Sequence, residues 1–310
     1  MKTISQLIIT MMICLFSIQA WAQSGKLFNT DNQLSSNLAT QVFQDKSGFI
    51  WIATRNGLNN YDGYHITVIK KDMSNFLGLN SNYINSIAQD EKEHILLGTN
   101  NSLLEFTGSE FLKIPMLDSK GKELATYVKQ VYPLKNKDVA VATSGYGIML
   151  KKQDEQKCHA MKGEVEKLNY IHKLLEDKRG RLWIITEDGK LYRKETNGRV
   201  TSHFVGTEGV NAQDIQQDAL GNIYLASKNQ GVHLLRAGSN VFTRISDIGN
   251  LPIDNIYISR NNKLYIGCDG LGIYVYDHQT GFLQENPLFS RLVNRAKSNV
   301  TSTIEHNDDN

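Results

Sequence analysis

One short pattern returns six times along this chain, and it constrains the fold more than any other feature. An apolar run centres on Trp51 (Ile50-Trp51-Ile52-Ala53-Thr54) and comes back around Leu96, Ala140, Trp183, Tyr224 and Tyr265. Successive centres lie 45, 44, 43, 41 and 41 residues apart, within the ~40–50-residue period of propeller blades. Nine residues before each centre stands an aliphatic residue: Val42, Ile87, Val131, Leu174, Ile215 and Ile256. Three residues after each stands Thr54, Thr99, Thr143, Thr186, Ser227 or Cys268.

Each unit reads as four strands. The first ends in a tight turn, as in Asp45-Lys46-Ser47-Gly48, Asp177-Lys178-Arg179-Gly180 and Asp218-Ala219-Leu220-Gly221. An Asp at the start can take backbone N–H groups further along the turn, and Gly accepts positive φ. The β-branched and aromatic run through the centre is the second strand. A short turn carrying Gly or Asn leads to the third, and a less regular fourth fills the remainder. Such a sheet cannot bury both apolar faces alone, whereas radial packing buries them and leaves short edges. A stacked β-solenoid is the rival, but its repeats are usually shorter and lack regular hairpins. The expected fold is therefore all-β, a β-propeller of four-stranded antiparallel blades, with six complete blades plus the start of a seventh.

The seventh is inferred from the C-terminal stretch. Matching Ile304 to the aliphatic position puts the next centre near 313, past Asn310. Lys26-Leu27-Phe28 is a candidate outer strand for the closing blade. The expectation is a piece of a longer chain.

The N-terminus reads as a secretory signal peptide over residues 1–22: Lys2, an apolar run from Leu7 to Ile18, then Ala20-Trp21-Ala22. The run is too short for the ~20 residues a membrane helix needs, and Cys14 lies mid-segment, not at a lipoprotein cleavage point. Residues 23–310 would form the propeller in the periplasm. Two cysteines then remain, Cys158 and Cys268, which permit a disulfide without showing one. The 34 basic and 32 acidic residues give no basic surface for nucleic acid, and no later stretch is apolar enough to span a membrane.

No motif calls for catalysis, a cofactor or a metal. The turn aspartates, Asp45, Asp90, Asp177 and Asp218, have a structural role. His65, His94, His159, His172, His203, His233 and His278 show no paired metal-binding spacing. There is no G-x-S-x-G and no phosphate loop. Trp51 and Trp183 hold the repeated centre and are packing residues.

Topology still says where a ligand would sit. The loop entering strand one and the turn leaving strand two fall at the same end of a blade, so repetition gathers them on one face of the disc. The candidate ligand residues on that face are Asn37, Arg55, Asn56, Asn82, Asn100, Tyr146, Tyr170, Glu187, Asp188, Lys228, Asn229 and Asp269, with Asn101 beside them. Amide, charged and aromatic groups in that mixture suit an oligosaccharide or other small polar ligand. Taken singly, the Asn and Asp residues are also what turns favour. A second copy of the chain is a further candidate partner.

The stretch Leu34-Ser35-Ser36-Asn37, followed by Val42 to Gly63 with its Asp45-Lys46-Ser47-Gly48-Phe49-Ile50-Trp51 core, resembles the regulator-propeller repeat. That repeat belongs to periplasmic sensors of hybrid two-component systems in Bacteroidetes-type bacteria. Leu79-Asn80-Ser81-Asn82 and Asp177 to Thr186 repeat it. Glu93, Lys137 and Asn262 depart from the pattern by replacing Gly, and Leu134 and Ser259 by replacing Asp, which is expected to loosen those turns. The resemblance implies sensing of glycan fragments to control polysaccharide-utilisation genes. It also implies, in longer relatives, a second propeller, an immunoglobulin-like connector, a membrane helix, a histidine kinase and a response regulator, none of which is read here. A propeller lyase resembling the streptogramin type and a purely protein-binding propeller are the alternatives.

Overall fold

The computed structural model describes residues 27–71, 78–278, 280–286 and 302–304. The expected leader, residues 1–22, lies outside them. Six antiparallel blades form a ring. Their inner strands are Ala39–Gln44, Ile84–Gln89, Val128–Pro133, Ile171–Glu176, Ala212–Gln217 and Ile253–Ile258. The repeated centres lie in the second strands, such as Leu182–Thr186, in which every residue is buried.

Alternation along these strands explains the burial. Trp183 and Ile185 face the cluster shared with blade five, while Leu182 and Ile184 face the one shared with blade three. Side chains on successive strand residues point to opposite faces, so a strand covered on both sides must be apolar throughout. The five apolar clusters are the five interfaces between consecutive blades.

Two polar features recur along the blades and hold them in shape. The recurring hydroxyl donates to the carbonyl beyond the following turn: Thr54 to Gly57 at 2.7 Å, Thr99 to Ser102 at 3.0 Å, Thr143 to Gly147 at 2.8 Å, Thr186 to Lys190 at 3.2 Å and Ser227 to Gly231 at 3.2 Å. Cys268 replaces it in blade six as a small buried residue. The turn aspartates do what the sequence suggests. Asp218 Oδ1 accepts from the N–H groups of Leu220 and Asn222 at 2.9 and 2.8 Å.

The turns with Glu93, Lys137 and Asn262 are not loosened. These residues take φ of 65°, 71° and 61°, and each still donates its N–H to the residue opening the turn, at 2.8–3.1 Å. The left-handed conformation is kept at the expense of local strain, least for Asn.

Blade three is larger than expected. Two short strands, Met116–Leu117 and Glu123–Leu124, extend it to six strands, and the first of them runs parallel to Cys158–Ala160. Leu27 and Phe28 form no strand; the Phe28 ring instead lies 5.0 Å from that of Tyr61 in blade one. Cys158 and Cys268 are both free and buried, and burial pushes each thiol pKa up to about 12. No helix among the described residues is long and apolar enough to cross a membrane.

Candidate functional site

Every inner strand carries a β-bulge at the same place. In blade one Ala39 faces Thr54 and Gln41 faces Ala53, leaving Thr40 outside the ladder. The same shift leaves out Asn85, Lys129, His172, Gln213 and Asp254. A bulge frees one residue from pairing and re-aims its side chain. All six line one cavity of about 430 Å³ on the axis of the ring.

The following residue on each inner strand clasps the next blade. Gln41 Oε1 accepts the Ile87 N–H at 2.8 Å, Ser86 Oγ that of Val131 at 3.0 Å, Gln130 Oε1 that of Leu174 at 2.6 Å, and Asp214 Oδ2 that of Ile256 at 3.0 Å. Lys173 has no acceptor and breaks the series. Its ammonium pairs instead with Asp214 at 3.0 Å, and Asp214 caps the neighbouring Ile215 N–H. Thr303 Oγ1 donates to Asn255 Oδ1 at 3.4 Å, and Ser302 Oγ accepts the Val42 N–H at 3.3 Å. Residues 302–304 thus lie between blades six and one, at the place a seventh inner strand would take. It is Ser302, not Thr303, that takes the clasping place, one residue out from the register expected of Ile304.

The rim above one half of the cavity is aromatic and cationic. Tyr83, Tyr127 and Tyr170 stand thirteen residues before the centres of blades two, three and four. The Tyr83 and Tyr127 rings are 6.0 Å apart and steeply inclined at 63°. The Arg55 guanidinium lies 5.6 Å from the Tyr83 ring centroid, and the Lys129 ammonium 4.7 Å from that of Tyr127. Tyr127 donates its hydroxyl to Asn85 Oδ1 at 2.8 Å, and Asn85 donates onward to the Val128 carbonyl at 2.9 Å. Burial and the Tyr83 hydroxyl raise the Tyr127 pKa, so the phenol stays protonated as a donor.

Most of the charge around the cavity is balanced. Lys129 pairs with Glu187 at 3.4 Å and Lys228 with Asp254 at 3.9 Å. Burial raises the Asp254 carboxyl; Lys228 opposes the rise and Asp269 adds to it. Burial, followed by the Lys173 charge, lowers the His172 pKa and favours neutral imidazole. Arg55 is exposed, and no carboxylate pairs with it among the described residues.

The structure separates the sequence-predicted residues into groups. Arg55 and Lys228 line the axial cavity, and Glu187 and Asp269 act on its wall through Lys129 and Asp254. Tyr170, Glu187 and Asp188 border a second hollow of about 510 Å³, and Tyr146 a third of about 220 Å³. Asn37 is tied to the Thr30 N–H at 2.8 Å, Asn82 to that of Lys71 at 2.7 Å, and Asn229 to that of Asn211 at 3.0 Å. Asn100 accepts from Ser81 and Asn101 from Thr99. Asn56 is exposed in its turn, and Asp188 is held by Thr186 and Lys190 at 2.6 and 2.7 Å.

Sequence reasoning missed the six bulge residues and the Tyr83–Tyr127 pair. The available signal was positional. Eleven residues before each centre the side chain is polar in all six units, and thirteen before it is Tyr in three consecutive ones.

The family model described as two component regulator propeller matches residues 33–56, 78–101 and 166–188. Comparison with curated proteins gives no match. Among solved structures, the extracellular domain of the hybrid two component system BT3049 from B. thetaiotaomicron superposes with a TM-score of 0.72 at 23% identity, covering 88% of this chain and 38% of that one. The corresponding domain of BT4673 gives 0.70 at 17% identity, covering 86% and 37%. This chain therefore spans less than two fifths of those domains. Virginiamycin B lyase from Staphylococcus aureus gives 0.64 at 12% identity, covering 84% and 87%. These likenesses are of fold.

Proposed function

We propose that this chain, a β-propeller built of two component regulator propeller repeats, is the ligand-reading part of an exported sensor, and that its axial cavity receives an oligosaccharide. The observation that carries the reading is the ring of six bulge residues, which places a polar side chain from every blade at one concave site. Pockets that combine a preformed shape with a few convergent polar groups are where small ligands bind. The Arg55–Tyr83 and Lys129–Tyr127 pairs add flat apolar surface with charge beside it, which suits a sugar ring bearing a carboxylate or sulfate. Binding would be relayed to a two-component pathway controlling polysaccharide utilisation, with the propeller outside the cytoplasm.

A binding role is favoured over turnover by the cavity's chemistry. Its one imidazole among the lining residues, His172, has no carboxylate hydrogen-bonded to it among the described residues.

A thermal-shift screen of the purified chain against neutral and acidic oligosaccharides tests the proposal. A ligand specific to the folded state adds about 2.7 kcal/mol of stability at a hundredfold excess over Kd. A shift with one glycan class, abolished by Arg55→Ala, supports the assignment. Folded protein that responds to no sugar would sink it and favour a protein partner.

A further inference from the structure

Away from the axis, blade two holds a group of side chains that the sensor reading does not use. In blades one and four the turn aspartate is pinned by an indole: Trp51 donates to Asp45 Oδ2 at 2.8 Å and Trp183 to Asp177 Oδ2 at 2.9 Å. In blade five Tyr224 and Asn222 take that role at 3.3 and 2.7 Å. In blade two the centre is Leu96, which has no donor to give Asp90. Across the ladder from Leu96 stands Glu105, on strand Leu103–Phe106. Asp90 and Glu105 are 7% and 2% exposed, and the one group of opposite charge within ion-pair range of either, among the described residues, is His94.

Two buried carboxyl groups thus face each other with a single imidazole between them, and buried polar groups are costly without partners. The turn bonds that blade two shares with blades four and five hold Asp90 in place. Asp90 Oδ1 accepts the N–H groups of Lys92 and His94 at 2.9 Å each, which turns Oδ2 toward the histidine. His94 Nδ1 lies 3.1 Å from Glu105 Oε1 and 3.9 Å from Asp90 Oδ2. The three atoms all lie within 4.8 Å of one another. Ligands bound at zinc's usual ~2.0–2.1 Å in a tetrahedron are about 3.3 Å apart.

We infer that Asp90, His94 and Glu105 form a divalent transition-metal site, with zinc as the best-matched ion. One nitrogen and two carboxylate oxygens are a donor set that zinc takes readily. His94 is half-buried, and water is the fourth ligand expected of a zinc held by three side chains. The ion neutralises both carboxylates and ties the Asp90 turn to the third strand, so it takes over in blade two the part the tryptophan plays in blades one and four. The site is independent of the axial cavity and of any ligand there.

The test uses the purified, untagged chain, stripped with a chelator and titrated with zinc alone. Bound metal is counted by elemental analysis after gel filtration, and melting is followed in parallel. The expected result is about one zinc per chain with a raised Tm, and affinity at least about tenfold weaker in His94→Ala and in Glu105→Gln, since each loses a ligand. His159→Ala, which removes the imidazole paired with Glu155 at 3.6 Å, keeps wild-type binding. Circular dichroism establishes that each variant is folded; if His94→Ala is not, His94→Gln is measured in its place. Absence of retained zinc in the wild type, or equal retention in the wild type and the ligand variants, overturns the assignment.

Discussion

Trp183 donates its indole N–H to Asp177 Oδ2 at 2.9 Å, from a ring with no solvent exposure to a carboxylate with none. The other oxygen takes the backbone N–H groups of Arg179 and Arg181, and the Arg181 guanidinium closes the set at 2.7 Å. Removing the carboxylate leaves all these donors unpaired at once. Asp177→Ala is expected to lower stability by about 3–5 kcal/mol. Urea unfolding measures it, and a loss below about 1 kcal/mol, the worth of one ordinary hydrogen bond, would contradict the account.

The same carboxylate gives stability a pH dependence of known sign. Burial by itself raises its pKa, but the Trp183 indole and the Arg181 backbone and guanidinium outweigh burial and hold it below the ordinary 3.8. Asp138 is likewise buried yet lowered, chiefly by Lys152 at 2.7 Å. With a depressed folded-state value, the unfolded chain binds the proton first as pH falls. The stabilisation is therefore complete above 3.8 and drains away as pH drops through the folded value. Unfolding measured from about pH 6 to about pH 2 should steepen below about pH 4, and the slope should flatten in Asp177→Asn.

What the sequence revealed and what it hid divide on physical lines. The Trp51 and Trp183 centres, the Asp turns and the Thr54 series could be read because each scaffold contact is local and returns in every unit. Thr40, Asn85 and Lys129 were hidden because a bulge shows only when paired residues are counted across two strands. By alternation alone they look like any polar residue on an inner strand. Met116–Leu117 and Glu123–Leu124 are too short to show alternation. Asn37, Asn82 and Asn229 each hold a backbone N–H of the chain's own loops, and a sequence cannot tell an amide that meets ligand from one that does this.

That last distinction can be measured. Arg55 has no carboxylate partner among the described residues and lines the cavity, whereas Asn37 spends its side chain on Thr30. Arg55→Ala should leave Tm near wild type and weaken ligand binding about tenfold or more, the loss of one charge-assisted contact. Asn37→Ala should leave affinity unchanged and cost about 0.5–1.5 kcal/mol of stability. Isothermal titration and urea unfolding of both proteins separate the two effects, and a reversal of the pattern would undo the assignment of the cavity.

The strained turns offer a gain of stability. Lys137 holds φ at 71°, where a side chain is disfavoured and glycine is not. Lys137→Gly should therefore stabilise by about 0.5–1 kcal/mol after allowing for the greater freedom of glycine in the unfolded chain. Asn262→Gly should change little, because Asn tolerates this conformation. Paired urea midpoints test the contrast.

The bulges also bear on how such a propeller could change its preference. A side chain outside the ladder makes no strand pairing, so exchanging Thr40, Gln213 or Asp254 removes no backbone bond between strands. The clasp to the next blade's backbone N–H belongs to the adjacent residue and stays as it was, although Thr40 and Asn85 add side-chain bonds of their own to the Ile84 and Val128 carbonyls. On the proposed reading, recognition and assembly therefore fall largely on neighbouring positions of one strand. If the cavity binds as proposed, it is a six-place alphabet set in a shared frame, in which a substitution at Gln213 or Asp254 alters what is read while the strand ladder is inherited intact.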